Sequence, residues 1–328
     1  MSLVRRAAAA DAVYPVIRAL RPGQRATAVL MYHTLGDDDA CFDAWTVLRR
    51  ADFIAQVEAL RRTHHLVSLD DALSEGPGRR SKPLAVLTFD DGNASLHSHL
   101  LPIVERERLP VTIYVATGHL ESRQPYWFDA LMVAFQQPLA VPIDLRAHRL
   151  ATYRLDQAPG PDRWLAISRV LEDLKTLDPA AREAAAADAL AQAGTGPAPA
   201  RAASANPLLP LTLDQLRDLG ASRWVTIGSH THGHELLDQI PTVQAVASIE
   251  RSRDLLKAWT GRTIDHFAYP NGNHDDALVE TVGRLGFRSA VTTQPALWDR
   301  SFRPHAIPRL GVGRYDGLDR LKLALLGL

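Results

Sequence analysis

The sequence is short of the features that would take it away from ordinary globular chemistry. Its 328 residues hold a single cysteine, Cys41, so no intrachain disulfide can form. That fits a reducing compartment, although a disulfide-free secreted enzyme would look the same. Neither sign of charge is in excess: 37 Lys and Arg face 37 Asp and Glu, for a formal net charge of +0. This removes the electrostatic case for nucleic acid or an anionic membrane as the main partner. No run approaches the ~20 apolar residues of a membrane span. Arg5 and Arg6 open the chain in the manner of a targeting signal, but Asp11, Pro15 and Arg18 interrupt it before a leucine-rich stretch develops. The segment reads as a short amphipathic helix. Surface docking leaves peripheral membrane contact open, and a cytoplasmic location is expected.

What is present is apolar material in a regular rhythm. With 46% hydrophobic residues the chain can bury a large core, and its length allows one large α/β domain or two smaller ones. Short apolar runs recur at Ala28–Tyr32, Ala85–Phe89, Val111–Val115, Trp224–Gly228, His266–Tyr269, Ser289–Thr292 and Ile307–Val312. Helical spacing separates most of them, at Asp52–His64, Thr242–Thr260, Asp275–Leu285 and Asp316–Leu326. Pro102 marks the first turn of a fresh helix after Leu96 and Leu100. Strand–helix alternation implies parallel strands with helices outside, an α/β layer or barrel. The rhythm breaks over 121–210, which holds no convincing strand. It carries the cluster Tyr126-Trp127-Phe128, helical patterns at Trp164–Leu177 and Ala180–Ala193, and a loop rich in Gly, Ala and Pro at Gly194–Pro207. We read it as a mostly helical insertion within a single domain spanning 1–328, roofing the site. No internal repeat is evident.

Two strand ends carry chemistry. The run Leu84–Phe89 ends in Asp90-Asp91-Gly92, two adjacent carboxylates that repel and require compensation. A metal ion is one source of it. Trp224–Gly228 is followed by His230, His232 and His234. His230 and His234 are four apart, so on a helical turn both rings would project from one face, a metal-ligand spacing. Two imidazoles and one carboxylate make a three-ligand site with open positions. In a parallel barrel the C-terminal strand ends converge, so His33, Asp90, Asp91, His230, His234, Tyr269 and Arg309 are expected to face one pocket. His232 is expected to point away. Tyr126, Trp127 and Trp298 suit either sugar stacking or core packing, with packing the simpler reading.

Thr88-Phe89-Asp90-Asp91-Gly92, with His230 and His234 far downstream, resembles the polysaccharide deacetylase family, also called carbohydrate esterase family four. The resemblance covers 26–120 and 210–312. It implies a distorted (β/α) barrel of about seven parallel strands and a metal-dependent hydrolase removing N-acetyl groups from an N-acetylhexosamine-containing glycan or precursor. A non-glycan amide or cyclic amide is the alternative substrate. The resemblance maps the metal ligands onto Asp91, His230 and His234 and the general base onto Asp90. The implied cofactor is a divalent metal, zinc first, with cobalt or nickel as substitutes. The third motif departs from the family pattern: Phe267-Ala268-Tyr269-Pro270-Asn271-Gly272 lacks the arginine of Arg-x-Pro-Tyr, and no C-terminal Leu-x-His follows. Met31-Tyr32-His33 instead is similar to the circularly permuted branch, which places the general acid on His33, with His305 as competitor. Arg309 then either orients Asp90 in place of the missing arginine or forms a structural ion pair. Tyr269 and Asn271 are the candidates for oxyanion or substrate contacts.

Overall fold

The computed structural model describes residues 26–39, 42–75, 81–136, 139–194, 206–299 and 301–327. The expected N-terminal helix, Cys41 and most of the Gly194–Pro207 loop lie outside the described residues.

The strands in chain order are β1 (Ala28–Tyr32), β2 (Thr34–Gly36), β3 (Val47–Arg49), β4 (His65–Leu66), β5 (Leu84–Phe89), β6 (Val111–Val115), β7 (Ile143–Asp144), β8 (Thr152–Tyr153), β9 (Val225–Ser229), β10 (His266–Ala268), β11 (Ser289–Val291) and β12 (Leu310–Gly311). The main sheet follows the order β11-β10-β9-β6-β5-β1-β12, with β4 joining the start of β5. All its pairings are parallel. All seven apolar runs therefore contribute strands to one sheet. Ile307 bridges Val291 beside β11, and three residues later Leu310 and Gly311 pair with Leu30 and Met31 of β1. One short segment thus touches both ends of the sheet and curls it into a distorted (β/α) barrel.

Alternation along each strand separates the two faces. Val29, Val86, Tyr114, Ala268, Val291 and Ile307 pack together inside the curl. Leu30, Tyr32, Leu87, Phe89, Ile113 and Phe267 pack outside with helix residues such as Phe53, Val104 and Ile249. Strands covered on both faces read as continuous apolar runs, and all six residues of β5 are buried. Register matters more for function. Tyr32 lies beside Phe89, Phe89 beside Ile113 and Val115 beside Ser229. The residues that follow β1, β5 and β9, namely His33, Asp90 and His230, therefore leave the sheet at one rim.

Helices Trp127–Ala134, Pro161–Lys175 and Pro179–Gln192 build a second apolar cluster with Leu131, Phe135, Ile167, Leu174, Ala185 and Ala189 buried. The expectation of no strand over 121–210 is corrected here: β7 and β8 pair antiparallel. At two residues each they are too short to show an alternating pattern. No helix among the described residues is long and apolar enough to cross a membrane.

Gly228 sits inside β9 where no side chain fits. A Cβ there would stand 2.5 Å from the Tyr114 ring and 3.0 Å from the His266 carbonyl oxygen. Gly228→Ala is expected to destabilise the fold by ~1–3 kcal/mol through overpacking, read as a lower urea midpoint. An unchanged midpoint would show that Tyr114 yields freely.

Candidate metal centre

The two adjacent carboxylates are separated by the backbone. Asp90 continues the inward row of Val86 and Thr88. Asp91 has φ 76°, and Gly92 follows at φ 80°. That left-handed turn sends the second carboxylate another way, at a steric cost for a residue with a Cβ.

Each carboxylate is compensated by its own partners. Asp90 receives a two-point clamp from Arg309, with Nη1 donating to Oδ1 at 2.7 Å and Nη2 to Oδ2 at 2.6 Å. Arg309 also donates to Thr88 Oγ1 at 3.0 Å and, through Nε, to the Thr292 carbonyl at 2.9 Å. The pair is buried, with side-chain exposures of 0% for Arg309 and 4% for Asp90. Burial alone would push Asp90 up, but the Arg309 guanidinium, with help from His230 and His33, holds it below the usual carboxylate range. Arg309 and Asp90 thus form a bidentate ion pair, the geometry that both readings of Arg309 require.

Asp91 faces the histidines. Its Oδ1 lies 3.6 Å from His230 Nε2 and 3.3 Å from His234 Nε2. The three ligand atoms all fall within 4.8 Å of one another. Burial pushes Asp91 up, but the two imidazoles outweigh it and hold it well below the usual range. His230 Nδ1 donates to the Ala268 carbonyl at 2.8 Å, which fixes the tautomer and leaves the Nε2 lone pair toward Asp91. Burial lowers the His234 value, which favours the neutral, ligating form. Burial lowers the His230 value, but Asp91 and Asp90 outweigh burial and raise it, so that ring would release its proton on ligating. One carboxylate and two imidazoles on converging atoms fit a zinc-type cation.

The helical turn expected between His230 and His234 is absent. The connecting residues form an irregular loop in which Thr231 has φ 65° and His234 φ 56°. Two left-handed residues, not a 3.6-residue period, bring the rings together, their centroids 4.8 Å apart.

The remaining candidates divide. His33 follows β1 at the same rim as Asp90 and Asp91. Its ring lies 5.7 Å from Trp45, and its Nδ1 is buried without a partner. Tyr269 does not join the cluster. Its hydroxyl donates to the His305 carbonyl at 3.0 Å and its backbone N–H to Val291 O at 3.2 Å. Both donors are thus hydrogen-bonded at the β10 end, away from the Asp91 cluster. Asn271, at φ 55°, accepts from Lys175 Nζ at 2.8 Å and donates to Asn273 at 2.7 Å. His305 binds the Phe287 carbonyl at 2.7 Å, away from Asp91. His232 points away, to Thr117 Oγ1 at 2.9 Å. Trp298 is buried, and Trp127 packs at the edge of the second apolar cluster.

Four contacts escape a reading of motifs. Tyr126 Oη donates to the Asp91 carbonyl at 2.5 Å. The Tyr126 and Phe128 rings each lie 5.1 Å from the His234 ring. Buried Asp129 accepts from Asn93 Nδ2 at 3.3 Å. The available signal was an acidic residue set in an otherwise apolar helix, which implies a buried polar partner.

Arg309→Met would leave Asp90 buried and unpaired. The expected loss is ~3–5 kcal/mol in urea unfolding near neutral pH. The Asp90 value is depressed in the folded state. Its contribution is therefore complete above the unfolded carboxylate value of about 3.9 and fades as pH falls through the lower folded value. A loss under ~1 kcal/mol at neutral pH would mean that the pair is not held as described.

Comparison with known proteins agrees with this geometry. A family model described as polysaccharide deacetylase matches residues 78–148 and 191–290, more than half of the chain. Among solved structures, the chain is similar to the Streptococcus pyogenes deacetylase PplD in complex with acetate. That match has 16% identity, covers 92% of this chain and 98% of that one, and has a TM-score of 0.58. It is similar to IcaB from Ammonifex degensii at 15% identity, with 92% and 97% coverage and a TM-score of 0.57. A de-N-acetylase from Aggregatibacter actinomycetemcomitans matches at 16%, with 91% and 99% coverage and a TM-score of 0.53. At such identities the likeness is one of fold. No curated protein matches the chain. The family match, spanning Asp90, Asp91, His230 and His234 on the fold described above, means that the chain belongs to the polysaccharide deacetylase family.

Proposed function

We propose that the protein is a metal-dependent hydrolase that removes N-acetyl groups from an N-acetylhexosamine-containing glycan or glycan precursor. One observation carries the reading: Asp91, His230 and His234 converge on a common point at the rim where the adjacent Asp90 is held ionised by Arg309. Family membership supplies the reaction class.

Asp91 Oδ1 and the Nε2 atoms of His230 and His234 would hold the cation. Zinc suits this donor set best, and cobalt or nickel are workable substitutes. When bound, the cation supplies Lewis-acid polarisation of the acetamide carbonyl. Asp90 accepts the proton of the attacking water. Arg309 occupies one lone pair on each carboxylate oxygen, and others stay free for that proton. A carboxylate so clamped is a weak base, but it is always in the accepting form at neutral pH and always aimed. As the C–O bond forms and the C–N bond breaks, His33 delivers a proton to the departing nitrogen. Its Nδ1 is buried, so Nε2 is the atom available to the substrate. The products are acetate and a free amine. The backbone N–H of Asn271, three residues beyond the Ala268 carbonyl that fixes His230, is our candidate donor to the developing oxyanion.

The same reading treats the chain as one catalytic domain with 121–210 inserted in it. Contacts at the rim support this. Lys175 reaches Asn271, and Arg182 donates to Gln239 at 3.0 Å. Helices of the segment thus lie against loops that flank the metal cluster and would limit how much glycan enters.

Three outcomes are expected from acetate-release assays on N-acetylglucosamine oligomers. Chelation abolishes turnover and zinc restores it. Asp90→Asn lowers kcat by ~10²–10⁴-fold while retaining bound zinc. Simple and cyclic amides are turned over far more slowly than the oligomers. Unchanged turnover in Asp90→Asn would refute the base assignment, and faster release from simple amides would refute the glycan substrate.

A further inference from the structure

Two of the three ligands, Asp91 and His234, are held by residues outside the two motifs. Asp91 and His234 each have a left-handed backbone, at φ 76° and φ 56°. Such conformations persist only where the surroundings over-determine them. For His230 the constraint is the Ala268 carbonyl. Among the described residues no acceptor does the same for the His234 ring. What it has instead is Tyr126, edge-on at 68° with centroids 5.1 Å apart, and Phe128 at 5.1 Å and 54°. Tyr126 and Phe128 stack on each other at 4.9 Å and 14°, so the two form one block against the imidazole. The other face of Tyr126 is closed by the His119 ring at 3.7 Å.

The same tyrosine holds the other ligand. Its hydroxyl donates to the Asp91 carbonyl oxygen at 2.5 Å, and Tyr126 is 1% exposed. That carbonyl belongs to the peptide joining Asp91 to Gly92, the turn that parts the two carboxylates. Three residues on, Asp129 accepts from Asn93 Nδ2 at 3.3 Å. Asn93 also receives Thr34 Oγ1 at 2.9 Å and donates to the Leu208 carbonyl at 3.0 Å. The segment is therefore bonded to the carboxylate loop at two points and packed on the histidine loop.

We propose that Tyr126 is a positioning residue of the metal centre, which with Phe128 sets the separation and ring orientation of Asp91 and His234. The opening of the 121–210 segment is thus part of the metal site as well as a wall beside it. This rests on the reading of Asp91, His230 and His234 as metal ligands. Tyr126→Phe removes the bond to the Asp91 carbonyl and keeps the ring on His234. Phe128→Leu keeps the bond and removes half of the aromatic block.

The test uses the full chain and needs no turnover. Zinc affinity is measured by competition with a chromophoric chelator, and the cobalt-substituted protein gives a visible absorption spectrum that reports ligand geometry. Circular dichroism of the metal-free proteins verifies that each variant is folded. Removing an outer partner of a ligand typically costs 10–100-fold in metal affinity. The expected result is a zinc Kd about 10-fold weaker in Tyr126→Phe with altered cobalt bands, and a weaker Kd again in Phe128→Leu. Folded Tyr126→Phe with wild-type affinity and an unaltered cobalt spectrum would overturn the proposal while leaving the metal reading intact. If Tyr126→Phe does not fold, Phe128→Leu decides in the same way. A wild-type protein that binds no zinc would overturn the metal reading and this proposal together.

Discussion

Two carboxylates on consecutive residues, both buried, cannot be stabilised as a pair. Each needs its own counter-charge, and the two must look in different directions. The positive φ of Asp91 provides the divergence. The barrel provides the rest. Arg309 comes from the segment that closes the sheet between β11 and β1, and inward alternation from Ile307 places it under Asp90. The histidines come from the loop after β9, two strands from β5 in the sheet order. Closure of the barrel and compensation of Asp90 are thus one structural event: without the 307–311 segment in place, Asp90 loses its ion pair.

The order of the ladder explains why so few residues suffice. Parallel strands in register deliver their C-terminal ends to a common rim. A residue one step beyond β1, β5 or β9 is at the site whatever its neighbours are, so the chemistry depends on which side chain stands at that step. His33, Asp90 and His230 occupy these steps. Tyr269 takes the corresponding step after β10, yet its hydroxyl turns to the His305 carbonyl and stays in the core. Position at the rim is necessary, but parity still decides where the side chain points: Tyr269 shares the outward parity of Phe267 and packs with it.

Much of this was legible in the sequence because parallel strands covered on both sides must be continuous apolar runs, and all seven runs lie in the sheet. The helix Thr242–Thr260 matches its expected span for a related reason: its apolar stripe has the helical period over five turns. Short elements were not legible. β4, β7 and β8 have two residues each, and their pairing comes from tertiary context. The helix Leu213–Ala221, opened by a Thr212–Gln215 capping box, was not legible either, because it is short and its apolar stripe brief. The site shows the same division. The residue types of Asp91, His230 and His234 were legible, but the mechanism that brings the rings together was misread. Spacing of four suggests a helical turn, and the chain uses left-handed residues at Thr231 and His234, which nothing in their side chains announces. Arg309 was legible as a candidate because it stands in the last apolar run while the third motif lacks its arginine.

The dependence of strained loops on a distant segment has a physical logic. Left-handed non-glycine residues cost of order 1–3 kcal/mol each, and Asp91, Thr231, His234 and Asn271 are four of the seven such residues described. All four lie at the C-terminal rim of the sheet. The barrel cannot hold them by its strand pairing, because all four lie beyond the ends of their strands. Restraint must come from outside the ladder, and it does: Tyr126 bonds the Asp91 peptide, Lys175 reaches Asn271, and Ser248 Oγ accepts from the His232 N–H beside Thr231 at 2.9 Å. Two of these three come from the 121–210 segment. A long excursion between β6 and β9 is therefore consistent with precision at the Asp91, His230 and His234 cluster, since its helices carry the groups that keep the rim in a conformation the strands alone would release.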